Sequence, residues 1–234
     1  MIAKKKIAKK KTVRRVDTES TAELTGIVLQ ACLVAKDSAF NLRDYIENTS
    51  HMAFLAVKDC EKELDRMERR VDEEITSAIT QVSEAEARQL LACLKFIIDL
   101  ERVGDLTWSV TQRLQRLNTK LTREDARDLI LMCQILEKML ATVHDGFANR
   151  DLNSATWVLQ ADSEIDAACR SVFHRHLETH DRQRREYSTN LMFMAQAFER
   201  AGDHAKNLGE ELFHLVEGRS VRHEPKKSKS RSAE

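Results

Sequence analysis

The chain has 234 residues, 42% of them apolar and 32% charged, which is enough to bury one large core or two modest ones and excludes an intrinsically disordered body. Its formal net charge of zero hides an asymmetry: residues 1–15 hold six Lys and two Arg, residues 219–234 hold six basic and two acidic side chains, and the body between them is strongly acidic. An acidic body suits cations better than nucleic acid, so no specific nucleic-acid partner is expected; the basic ends, 1–18 and 219–234, read as disordered tails able to meet a phosphate, a membrane surface or an acidic partner.

One proline, six glycines and no Asn-Gly or Asp-Gly hairpin turn or β-branched alternation that stands out leave helix as the expected secondary structure throughout. Helical periodicity predicts six segments at roughly 19–48, 50–81, 84–118, 122–149, 152–180 and 184–217. Their starts carry capping signals. Ser83 with Glu86 forms a capping box, and Thr122 with Asp125, Asp151 and Asp181 can each accept a hydrogen bond from an unpaired first-turn N–H. No apolar run approaches the ~20 residues that cross a bilayer, and the Lys-rich start lacks a signal peptide's apolar segment. Five scattered cysteines, none in a Cys-x-x-Cys pair, argue against a disulfide framework or a thiolate metal site and suit a reducing cytoplasm.

The organising feature is an internal repeat. Leu94-(x)6-Glu101-Arg-Val-Gly-Asp105 recurs ninety-eight positions later as Met192-(x)6-Glu199-Arg-Ala-Gly-Asp203. Each half then owns three helices, 19–118 and 119–218, so the expected fold is all-α with two tandem, similar antiparallel three-helix bundles. The middle helix of each half also carries acids four apart, Glu61 with Asp65 and Asp162 with Asp166. In a helix hairpin, residues equidistant from the turn lie opposite one another. Glu61 with Asp105, and Asp65 with Glu101, both centre on residue 83, while Asp162 with Asp203, and Asp166 with Glu199, both centre near 182. Asp59 with Glu63 is the rival first-half pair, since a slip of one residue moves a side chain only ~1.5 Å.

Residues four apart share a helix face, so each half is expected to gather four carboxylates. Acids held that close must take up protons, meet Arg or Lys, or bind a cation, and an all-oxygen set suits hard ions. Asn207 can add an amide oxygen to the second set, which makes it the better expected site; Ser109 is the weaker first-half equivalent. Arg102 and Arg200 pairing with the neighbouring acids is the competing explanation of the motif. Gly104 and Gly202 each cost the helix ~1 kcal/mol against Ala, which points to a close approach by a neighbouring helix or ligand. His174, His176 and His180 read as surface residues, and Trp108, Trp157, Met192 and Met194 as core. No Glu-x-x-His pair, Walker loop or nucleophile elbow is present, so no catalytic residue is assigned.

These motifs, with Asp203-His-Ala-Lys-Asn207 and the ending Leu215-Val-Glu-Gly218-Arg-Ser-Val-Arg-His223, resemble the PhoU family of phosphate-signalling proteins over residues 20–223. The resemblance implies two three-helix bundles, multinuclear metal binding at the acidic motifs, and negative regulation of the phosphate-starvation response. It implies partners too: the ATPase subunit of the phosphate ABC transporter, a sensor histidine kinase and a second copy in a homodimer. Matched residue by residue, the metal ligands are Glu61, Asp65, Glu101 and Asp105, and Asp162, Asp166, Glu199, Asp203 and Asn207; Ser109 stands where the family has Asn. Iron leads the expected metals, ahead of manganese, magnesium and zinc. The loop from Gln81 to Arg88 and the Lys-rich start depart from the family pattern. A metal enzyme or metal store built on a helical bundle is the alternative reading of the same clusters.

Overall fold

A computed structural model describes the backbone of residues 2–177 and 184–218, and side chains from Ser20 onward except that of Gln81. Six helices and no strand occur among the described residues: α1 (Ile2–Asn48), α2 (His51–Ala78), α3 (Glu84–Arg116), α4 (Arg123–Asn149), α5 (Leu152–His176) and α6 (Arg185–Glu217). A 3-10 turn, Ile79–Gln81, ends α2. The capping chemistry explains the boundaries. Ser83 and Glu86 form the reciprocal box at α3, Thr122 accepts from the Asp125 N–H at α4, and Asp151 accepts from the Asn153 and Ser154 N–H groups at α5. Ser50, which the sequence reading passed over, caps α2 through the Ala53 N–H. Asp181 lies outside the described residues, and α6 starts after Arg184 with no side-chain cap bond.

One expectation is corrected at the start of the chain, where α1 begins at Ile2 and the stretch taken as a disordered tail is helical. The reason lies in composition. Lys, Ala and Arg are good helix formers, and no Pro or Gly interrupts the sequence before Gly26, so α1 propagates backward from its packed portion. The expected second tail, 219–234, lies outside the described residues.

Helices α1–α3 form one bundle and α4–α6 the other, and a single buried core runs through both. Val57 and Leu64 of α2 with Phe96, Leu100 and Val103 of α3 belong to this core in the first, and Val158 and Ile165 of α5 with Phe198 and Ala205 of α6 in the second. The two motif glycines set the spacing inside each hairpin. A Cβ on Gly104 would stand 2.6 Å from Leu64 Cδ1, and one on Gly202 3.1 Å from Ile165 Cδ1. Gly104→Ala is therefore expected to lower stability by about 1–2 kcal/mol, overpacking against the fully buried Leu64 outweighing the ~1 kcal/mol gain in helix propensity. Gly202→Ala, with its looser contact, should be near neutral. Urea denaturation of both variants checks the order.

The bundles join along α1 with α4 and along α3 with α6. Arg43 pairs with Glu137 at 3.4 Å across the first contact. Along the second, Lys95 meets Glu211, Asp99 meets His204, and Arg113 donates to Asn190, so α3 and α6 run antiparallel. This seam sets the two Glu-Arg-x-Gly-Asp motifs at the same level of the molecule.

Candidate metal centre

In the first half three of the four acids paired by the hairpin arithmetic come together. Ligand oxygens of Glu61, Asp65 and Asp105 lie within 4.8 Å of one another, and all three residues are half-buried. Glu101, one turn before Asp105 on α3, sits at the same mouth. Its Oε2 is buried without a hydrogen bond, and Arg102 Nε stands 3.3 Å away in poor alignment. Burial, then the charge of Asp105, pushes the Glu101 carboxyl up to about 7, with Glu68 and Asp65 adding to the effect and Arg102 opposing it. Burial and the charges of Asp65 and Asp105 raise Glu61 as well. Asp59 is exposed and Glu63 pairs with Arg66 at 2.5 Å, so the rival pair faces away from this cluster.

The second half repeats the backbone but not the electrostatics. Asp162 is 4% exposed; its Oδ2 accepts from Lys206 Nζ at 2.8 Å, while its Oδ1 is buried with no hydrogen-bond partner. Asp203 is more open, its carboxyl raised by burial and by the charges of Asp162 and Asp166. Glu199 Oε2 accepts from the Cys169 thiol at 3.6 Å. Asn207, expected to complete this set, instead donates its amide to Asp99 Oδ1 at 3.3 Å, beside His204 Nδ1 at 2.7 Å from the same oxygen. The expected ranking of the sites is thereby reversed on geometry: the first half, with Ser109, gathers its acids more closely. Two cations already share the work of neutralisation, since Arg102 also donates to Asp105 at 3.2 Å and Lys206 holds Asp162.

Whether these residues fit a metal turns on the two buried oxygens. Glu101 Oε2 and Asp162 Oδ1, one in each half, are the buried side-chain polar atoms without a hydrogen bond among the described residues. A buried carboxylate oxygen left unpaired costs about 1–3 kcal/mol or more, and a hard cation satisfies it where the remaining ligands are carboxylates. The donor set fits.

Sequence reasoning missed a second polar cluster at the junction of α4, α5 and α6. Asp125, 1% exposed, accepts from Thr122 Oγ1 (2.7 Å), Arg175 Nη2 (2.9 Å), His176 Nε2 (2.9 Å) and the Tyr187 hydroxyl (2.7 Å). Arg175 also reaches Asp128 at 2.7 Å. His176, read as a surface residue, is thus half-buried and paired, whereas His174 is exposed and His180 lies outside the described residues. The signal available was Asp125 and Asp128 falling on the apolar stripe of α4 with Leu129, Met132 and Leu136.

Comparison with known proteins meets this architecture. The PhoU domain model matches residues 28–114 and 129–212, one stretch in each bundle. Among curated relatives, a phosphate-specific transport system accessory protein PhoU homolog of Pseudomonas aeruginosa is 30% identical over 175 residues, 71% of each chain. One of Rhizobium meliloti is 32% identical over 161 residues, 66% of this chain and 68% of that one. Crystal structures of PhoU from Pseudomonas aeruginosa (TM-score 0.78, 22% identity, 86% of this chain and 99% of that one) and of the phosphate transport system regulatory protein PhoU from Streptococcus pneumoniae (TM-score 0.78, 17% identity, 88% and 99%) share the fold. With both halves matched in order, and with the six-helix tandem architecture that those structures share, this chain belongs to the PhoU family.

Proposed function

We propose that this chain is a non-enzymatic regulator of phosphate uptake and phosphate-starvation signalling, a cytoplasmic adaptor that links the ATPase subunit of a phosphate ABC transporter to a sensor histidine kinase and works as a homodimer. What carries the reading is that both halves match a family whose curated relatives are described as phosphate-specific transport system accessory proteins. No described helix is long and apolar enough to cross a membrane, so any membrane association runs through the transporter or the basic ends. Deleting the gene is expected to derepress phosphate-uptake genes in phosphate-rich medium; unchanged transcript levels would overturn the assignment.

The carboxylate clusters serve as metal centres in this reading, iron first and manganese, magnesium or zinc next. Glu61, Asp65, Glu101 and Asp105 would hold one group, and Asp162, Asp166, Glu199, Asp203 and the amide oxygen of Asn207 the other. A bound cation supplies the positive charge that lets Glu101 remain ionised beside Asp105. The chain's own residues set the geometry: Gly104 and Gly202 draw the paired helices together, and Arg102 and Lys206 hold one acid of each set in place. Elemental analysis of gently purified protein is expected to find metal that an Asp105→Ala variant retains less of; equal content in both proteins would remove the first cluster from the proposal.

A further inference from the structure

The two halves correspond through their glycine contacts: Gly104 lies on Leu64 and Gly202 on Ile165, so 98 residues carry α3 onto α6 and 101 carry α2 onto α5. Asp162 then falls on Glu61, Asp203 on Asp105, and Lys206 on Trp108. At the last pair the halves part company. Trp108 turns its ring to Phe54, with 5.2 Å between centroids, and brings no charge to its cluster. Lys206 sends its ammonium into the other, 2.8 Å from Asp162 Oδ2.

Position decides what this lysine does. Asp162, 4% exposed, is the most buried acid of its set and lies against Gly202, its Oδ1 3.6 Å from where a Cβ on that glycine would stand. That oxygen has no hydrogen-bond partner, while Lys206 holds the other. The charges of Asp162 and Asp203 both act on Lys206, so the ammonium occupies the place of a cation between them. In the first half the paired cation is the exposed Arg102 on Asp105, and the oxygens of Glu61, Asp65 and Asp105 gather within 4.8 Å. No such group of three forms among the described residues of the second half.

We propose that Lys206 is the resident counter-ion of the second-half cluster, a tethered competitor that a metal ion must displace from Asp162, so that the first half fills before the second. The inference deepens the metal-centre reading above and rests on it, concerning the order of loading and not the identity of the ion. Its chemistry is an exchange of cations: the ammonium leaves Oδ2 as the metal arrives, with no covalent bond broken and no proton released. Lysine suits the task, because a compact ammonium on a flexible four-carbon stem can move between carboxylates. A second carboxylate is at hand. The Lys206 side chain is 29% exposed, and Glu210, one turn further along α6, already acts on its charge.

The test is a manganese(II) titration of the metal-stripped full-length chain, with free manganese counted by electron paramagnetic resonance. Wild type is expected to show a tight phase that Asp105→Ala abolishes, and to fill its second half only at higher concentration. Lys206→Gln keeps an N–H for Asp162 but not the charge, and is expected to tighten that later phase by about tenfold, the worth of one partly exposed charge-assisted hydrogen bond. Lys206→Arg, which keeps the charge, is expected to titrate as wild type does. A folded Lys206→Gln variant whose curve superposes on that of wild type overturns the assignment and leaves the metal-centre reading standing, as does a Lys206→Arg variant that gains as much, or a tight phase that survives Asp105→Ala. Circular dichroism reports whether Lys206→Gln keeps its helices. Should it not, acylation of Lys206 in wild type, followed by mass spectrometry, decides: a faster reaction at saturating manganese supports the displacement, and an unchanged rate overturns it. No manganese uptake by wild type or any variant overturns both readings.

Discussion

Replacing Asp125 with alanine is expected to cost the protein about 3 kcal/mol, the largest loss of any single substitution considered for this chain. The carboxylate is 1% exposed and collects hydrogen bonds from α4, α5 and α6 at once. Removing it takes the acceptor from the Tyr187 hydroxyl, which keeps the Thr122 N–H, and from His176 Nε2, whose other nitrogen keeps Ser188, and leaves Arg175 with Asp128 and the Ser171 hydroxyl. Three helix ends then lose their common anchor. Burial alone would raise this acid, but the hydrogen bonds from Thr122, His176, Tyr187 and Arg175 outweigh it and hold Asp125 at about 2, and the N-terminal turn of α4 favours the anion too. Because the folded value is depressed below the ordinary 3.8, the stabilisation is complete above that pH and drains away as pH falls toward about 2. Thermal unfolding of wild type and Asp125→Ala should therefore differ most near neutrality and converge in strong acid. A constant gap down to pH ~2 would contradict the linkage.

Glu101→Gln is expected to act in opposite directions with and without metal. In the metal-free chain the folded carboxyl sits at about 7 against an ordinary 4.5, so between these values the folded protein holds a proton that the unfolded chain has released. Stability must then fall as pH rises through that window and level off above it. Glutamine removes the repulsion from Asp105 and Asp65. The variant should gain about 1 kcal/mol over wild type at pH ~8, once solvent screening at this partly open site is allowed for, and show a shallower slope than wild type between pH ~5 and ~7. Added manganese or iron should reverse the order, since a ligand stabilises only the chain that can bind it. Melting curves in chelator and in excess metal report both signs; a variant less stable than wild type in chelator at pH ~8 would show that burial and repulsion of the charge are not what raises Glu101.

Much of this was legible in the sequence because helices have one dominant period and their hairpins obey simple arithmetic. Ser83, Thr122 and Asp151 marked three helix starts, and the centring of Glu61 with Asp105 located a cluster whose oxygens lie within 4.8 Å. Gly104 and Gly202 announced close packing, which Leu64 and Ile165 supply. What failed was whatever depends on side-chain direction between helices far apart in sequence. Asn207 shares a face with Asp203, but its amide finds Asp99 on α3, and no pattern within α6 could reveal that. His176 looked like one of a solvated trio, and only the approach of α4 and α6 buried it. Cysteine spacing was weighed by linear motif, whereas the Cys169 thiol donates to Glu199 across the hairpin. The N-terminal tail was misjudged because charge density was given more weight than helix propensity.

The seam between α3 and α6 has a thermodynamic meaning. Asp99 and Glu101 project from roughly opposite sides of one helix, as His204 and Glu199 do from the other, so each motif leans on its own cluster with one flank and on the other motif with the second. Were both proposed centres to fill, any free energy that occupancy of one lent to the other across this shared wall would be returned in equal measure, whichever filled first.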